Sequence, residues 1–245
     1  SSDVCSSDLT TDAPGTVVMN AGTVTSSGAQ NYQEPMILSR DTTLTSSADT
    51  LHFVRMTDGG TPLNLNLNAA TALVLGDVDV GDALHVTVQA GGVSQQANTS
   101  LNVGGTATFT ADTGMHQVAA LTSTHNTFTG VLTLNQAHDG SWADVSVSTN
   151  APLSVGPLLS GGAVNLQTQG ALTTSTISTS GDLTVNSHGG AVSLGAAIVS
   201  GDMAVQTGGG AVTQTGQFVV TGDTSVAAGT GTITLLEAFN NFVGS

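Results

Sequence analysis

The chain has 245 residues, 39% apolar and only 8% charged, with 2 Lys or Arg against 17 Asp or Glu and a net charge of −15. Binding nucleic acid or an anionic membrane surface requires a basic face, and a chain whose basic residues are Arg40, Arg55 and six His has none, so no nucleic-acid partner is expected. No apolar run reaches the roughly 18 residues of a membrane span, so no membrane insertion is expected.

Ser1–Leu9 (SSDVCSSDL) matches nothing else in the chain and resembles translated sequencing-adapter sequence. It is read as an artefactual or disordered leader and set aside. That removes Cys5, the sole cysteine, and a chain without Cys or Lys suits passage through an oxidising compartment. Residues 10–245 then form a single domain with an irregular start over 10–62. In that start Thr23–Tyr32 and Met36–Leu44 read as strand, turn, strand, with Pro14, Pro35 and Pro62 at turns. Leu63–Leu67 (LNLNL) alternates strictly, Leu on one face and Asn on the other. Its Asn residues form either an amide ladder between coils or a plain polar outer face.

Repeats fill 63–245. Leu73–Asp112 carries Gly81-Asp82, Gly91-Gly92 and Gly104-Gly105, each followed by a short alternating run. Asn126–Gly130 (NTFTG) recurs as Asn240–Gly244 (NNFVG), 114 residues later. Between them 136–146 (QAHDGSWADVS) is the least regular segment and is read as a loop. The clearest copies come last. Ser180–Val199, Ser200–Val219 and Thr221–Asn240 place Gly-Asp at 181, 201 and 222 and Gly-Gly-Ala-Val at 189 and 209.

A period near 20 residues marks a solenoid. Each copy holds short runs of period-two alternation, such as Leu183-Thr-Val185, and no helical stripe. One coil cannot bury its own apolar face, so coils stack. The expected fold is all-β, a right-handed parallel β-helix of about a dozen coils and about 55 Å, the hand following from strand twist and the length from strand spacing. The expected core is Leu183, Val185, Val192, Leu194, Ile198, Met203, Val205, Val212, Val226, Ile233 and Leu235.

Gly-Asp recurs at Asp77, Asp82, Asp182, Asp202 and Asp223. A calcium ladder is one reading, but calcium needs six to eight oxygens and the nine-residue calcium-roll repeat is absent. The favoured reading is Asp as a turn residue capping its own backbone. The six His lack zinc-ligand spacing, and no metal or other cofactor is expected. No G-x-S-x-G elbow is present. The best carboxylate pair for a glycoside hydrolase is Asp139 and Asp144, with Trp142 between them to stack on a sugar; these three are weak ligand-binding candidates, and no catalytic residue is assigned. Thr-x-Thr pairs occur at 23–25, 106–108, 108–110, 122–124, 127–129, 174–176 and 230–232. They do not recur at one place per coil along the sequence, so they read as ordinary strand formers rather than an ice-binding array.

The blocks Gly104–Ala111 (GGTATFTA), Ser180–Val185 (SGDLTV), Gly209–Gly216 (GGAVTQTG) and Asn240–Gly244 (NNFVG) resemble those of filamentous-haemagglutinin-type and related autotransporter adhesins of Gram-negative bacteria. That resemblance covers most of 16–245. It implies an internal, non-catalytic segment of a large secreted adhesin at the bacterial cell surface, associated with the outer membrane. The partners it implies are a host-cell glycan or protein receptor or a neighbouring bacterial surface, and an outer-membrane translocation partner. The alternatives are a carbohydrate-active β-helix enzyme and a calcium-dependent solenoid.

Overall fold

The computed structural model describes residues 2–5 and 7–244, with side chains from residue 7 onward. Among these residues there are 31 strands and no helix, and therefore no helix able to cross a membrane. The strands form two sheets, of 16 and 15 strands, and the pairings between coils are parallel. The result is a parallel β-solenoid of about 11 turns, each of about 21 residues.

Alternation explains the strands. Leu84–Val88 buries Leu84, Val86 and Val88 and turns His85 and Thr87 outward. Ala107–Ala111 does the same one coil later, with Leu84 facing Ala107 and Val86 facing Phe109. Stacking in register builds continuous columns inside the coil. The longest runs Val24, Leu44, Leu67, Val86, Phe109, Leu134, Leu158, Ile177, Ala197 and Phe218, each facing the next. All ten are at most 5% exposed. Burying each large apolar side chain contributes about 1.5–3 kcal/mol, which offsets the entropy of ordering a chain with few local contacts.

The irregular start is built of the same coils. Thr23–Ser26, Thr42–Ser46 and Leu65–Ala69 stack on one sheet, and Leu51–Thr57 carries the other. Coil length hides this in the sequence, because the step is 20 residues from Leu172 to Val192 but 19 from Leu65 to Leu84 and 25 from Ala107 to Leu132. Extra residues leave at the corners and the strands keep their register. At the N-terminus Ser2–Cys5 pairs with Thr23–Ser26 and Leu9–Thr11 with Gln30–Leu38, while Ser1 and Ser6 of the leader lie outside the described residues.

Of the expected core, Leu183, Val185, Val192, Leu194, Met203, Val205 and Val212 are buried. Val226 and Leu235 pack partly buried at its margin. Ile198 is 51% exposed, because Ala197 and Val199 on either side of it point inward. Ile233 faces buried Val212 but sits on the last coil, where it is 48% exposed. The Asn residues of LNLNL form no amide ladder: Asn64 donates to the Asp41 carboxylate and accepts the Ala83 N–H, and Asn66 stacks between Thr43 and His85.

The Gly-Gly turns have a steric cause. A Cβ added to Gly190 would lie 2.2 Å from the backbone of Gly170, and one on Gly210 would lie 2.1 Å from the carbonyl oxygen of Gly190. The coils touch backbone to backbone along this column. Gly210→Ala is therefore expected to destabilise the solenoid by about 2 kcal/mol, within the range of strained single substitutions. Gly161→Ala, whose Cβ would meet only the Trp142 carbonyl oxygen at 3.5 Å, should leave the urea midpoint close to that of the parent. Equal midpoints for the two variants would show that the column is not tight.

Candidate functional site

The segment 136–146 places its three candidate residues apart in role. A turn lies at 138–139 and Trp142 opens the strand Trp142–Thr149. Trp142 is wholly buried and its indole N–H donates to the Asn135 carbonyl at 2.9 Å. No ring face is open to a sugar. A register shift follows, with Gln117 facing Trp142 and Ala119 facing Val145. The bulge turns Asp144 outward, where Oδ1 accepts the Ala163 N–H at 2.8 Å. Asp139 lies exposed in the turn.

The Asp144 bond is one of a set. Asp182 Oδ1 accepts the Asp202 N–H at 2.9 Å, and Asp202 Oδ1 accepts the Asp223 N–H at 2.8 Å. Asp77 does the same for Ser100, Asp58 for Gly81 and Asp41 for Asn64. Each acceptor serves a backbone N–H about one coil further on. The expectation that Asp77, Asp182 and Asp202 cap their own turns is corrected: in a parallel stack the nearest unpaired N–H belongs to the next coil. Among the described residues no group of three His, Cys, Asp or Glu side chains is placed to hold a metal ion.

The histidines are dispersed, and three share a backbone role missed in the sequence. His116, His138 and His188 have φ of 58°, 48° and 46°, the left-handed region that His tolerates better than most residues. Gly208 and Gly229, φ 68° and 61°, take the place of His188 in the next two coils. His138 Nδ1 also contacts Asp112 Oδ1 at 2.5 Å.

A polar cleft of about 360 Å³ is lined by Gln95, Gln96, Asn98, Thr122, Ser123 and His125. It lies where two corner loops leave the coil. Its floor is a reciprocal amide pair: Gln95 Nε2 donates to Asn126 Oδ1 at 2.8 Å, and Asn126 Nδ2 donates to Gln95 Oε1 at 2.9 Å. Asn126 also accepts the Leu101 N–H and donates to the Leu121 and Ser148 carbonyls, linking successive coils. The same pair recurs at the C-terminus, where Gln214 and Asn240 exchange bonds of 2.5 and 3.0 Å and Asn240 accepts the Phe218 N–H. The recurrence of NTFTG as NNFVG is the sequence signal of this device. Ser123 Oγ lies 3.4 Å from His125 Nδ1 and accepts the His125 N–H, the geometry of a local turn. Chemically the cleft offers amide, hydroxyl and imidazole groups and no carboxylate.

Coils stacked in parallel and joined by shared apolar columns, glycine contacts and carboxylate staples define a repeat protein of the parallel β-solenoid class. Residues 63–135, 143–198 and 183–245 match the family described as repeats of unknown function (DUF5649), and the chain belongs to that family. No curated protein and no solved structure matches the chain.

Two measurements test the role of these polar groups. Asn126→Ala would remove the amide partner of Gln95 and leave the buried Leu101 N–H without its acceptor, and a loss of about 2–4 kcal/mol in unfolding free energy is expected; a loss under half a kcal/mol would remove the amide pair from the stabilising set. The Asn64 backbone N–H, and then its side-chain amide, hold the Asp41 carboxyl below its ordinary pKa, against a smaller opposing effect of burial. Its contribution is then fully present above the unfolded carboxylate range and is lost as pH falls through the lowered value. The melting-temperature gap between the parent and Asp41→Ala should be widest near neutrality and narrow in acid, and a gap independent of pH would contradict this.

Proposed function

We propose that the chain is a non-catalytic structural and adhesive segment of a large secreted bacterial surface protein of the filamentous-haemagglutinin or autotransporter type. The observation that carries this reading is where the polar chemistry goes. Asp41, Asp58, Asp77, Asp144, Asp182 and Asp202 staple one coil to the next. Trp142, the one tryptophan, fills the core. A rigid rod rising about 4.8 Å per coil sets a distance between its ends. Its long flanks supply many weak contacts, and a net charge of −15 keeps neighbouring rods from adhering to one another.

On this reading the partners are a host-cell glycan or protein receptor, or a neighbouring bacterial surface, and the parent chain crosses the outer membrane with a translocation partner. The test is incubation of the purified chain with a polysaccharide panel, scored for release of reducing ends and for binding of chain-coated beads to cells. Binding without release is expected. Release that disappears in Asp139→Asn and Asp144→Asn would replace the structural reading with the carbohydrate-active one.

A further inference from the structure

The outer face of the larger sheet carries a regular grid. One row runs Thr23, Thr43, Asn66, His85, Thr108 and Thr133, each facing the next in register. Two residues further along each strand, a second row runs Thr25, Thr45, Asn68, Thr87, Thr110 and Asn135. The Thr-x-Thr pairs at 23–25 and 108–110, read from the sequence as unaligned, thus occupy one place on the coil. Thr43 and Thr45 join them, and Asn or His with Asn or Thr fills the same two positions in the remaining coils. The grid ends where the register shifts between Leu132 and Leu134.

Three properties of this face point to its ligand. Its spacings are those of the backbone, about 4.8 Å between coils and about 6.7 Å along a strand. It is uncharged: none of the 19 Asp, Glu, Lys and Arg side chains occupies any of these twelve positions, in a chain of net charge −15. Its side-chain donors and acceptors are almost all unspent, since among the described residues the one side-chain hydrogen bond within the grid joins Asn68 Nδ2 to Thr45 Oγ1 at 3.3 Å. Ten of the twelve residues are half-buried, with His85 and Asn135 exposed, so the hydroxyls and amides are held by their neighbours and still reach the surface.

A soluble ligand is recognised by a few convergent groups. A surface that repeats one neutral pair of donors and acceptors at fixed intervals on a rigid sheet matches a ligand that is itself periodic. Sugar polymers and ordered water both qualify, and aromatic side chains separate them. Flat sugar faces are held by stacked rings, and this grid has none: Trp142 and Tyr32 are in the core, and the exposed Phe239 and Phe242 lie on the last coil. Each Thr instead presents a hydroxyl that both donates and accepts, as water does, beside a methyl group. We propose that this face binds ordered water at an ice surface, a lateral activity independent of the adhesive reading.

The test uses the purified chain, the double variant Thr108→Tyr with Thr110→Tyr, and Thr184→Tyr on the other sheet as a control. Thermal hysteresis, ice-crystal shaping and ice recrystallisation are measured, with circular dichroism to establish folding. The parent and the control should shape ice and restrain recrystallisation, and the double variant should lose both. If the double variant fails to fold, Thr110→Lys places a charge in the grid with one substitution at a half-buried position and should produce the same loss. A parent without ice activity overturns the proposal. So does ice activity that both grid variants keep, and so does co-sedimentation with cellulose or chitin that depends on Thr108 and Thr110 while ice is unaffected.

Discussion

Every part of this molecule depends on parallel stacking in register at one strand spacing. With about 4.8 Å between coils, each residue lies on its counterpart one coil earlier, and whatever occupies a position must tolerate a copy of itself above and below. For apolar side chains that requirement is favourable, and it yields the column from Val24 to Phe218. Bulk varies along the column, with Val86 before Phe109 and Ala197 before Phe218, so that wide and narrow residues fill a channel of near-constant width. At the glycine corner the same requirement is restrictive, because the backbones of Gly170, Gly190 and Gly210 leave no space for a methyl group.

Charge meets the constraint differently. Asp182 and Asp202 directly precede the paired residues Leu183 and Met203 and so lie one coil apart, and like charges at one strand spacing repel. Each carboxylate compensates by accepting the backbone N–H of the following coil, which turns a repulsive column into a set of charge-assisted staples. Buried polar groups follow the same logic. Gln30 sits in the interior and is satisfied by Ser26, Tyr32 and the Thr45 carbonyl, and the Gln95–Asn126 pair closes a corner where two loops leave. These networks carry the stack through coils of unequal length, since they bind adjacent coils to each other whatever the loops between them do.

A solenoid built this way places its chemistry on surfaces. The interior is filled by columns and by the indole, and many carboxylates hold coils together, which leaves long faces, corner clefts and the two ends as the places for contact. The faces differ: one carries the neutral Thr and Asn grid over six coils, and the corners carry loops whose lengths vary. A family of such repeats can therefore keep one fold while the exposed residues of each coil change without disturbing the columns.

The sequence by itself determined the class of fold. The 20-residue recurrence of Gly-Asp and Gly-Gly-Ala-Val, with period-two alternation between them, admits stacked strands and little else, because local spacing alone says which side chains share a face. It also marked the second amide pair, through the recurrence of Asn126–Gly130 as Asn240–Gly244. Register was decided only in three dimensions. Steps that range from 19 to 26 residues conceal which positions coincide, so the coils within 10–62, the outward turn of Ile198, the donor served by each Asp and the alignment of Thr43 with Thr23 could not be read along the chain. Each depends on a residue about one coil away, and the length of the intervening corner, which sequence periodicity does not constrain, sets which residue that is.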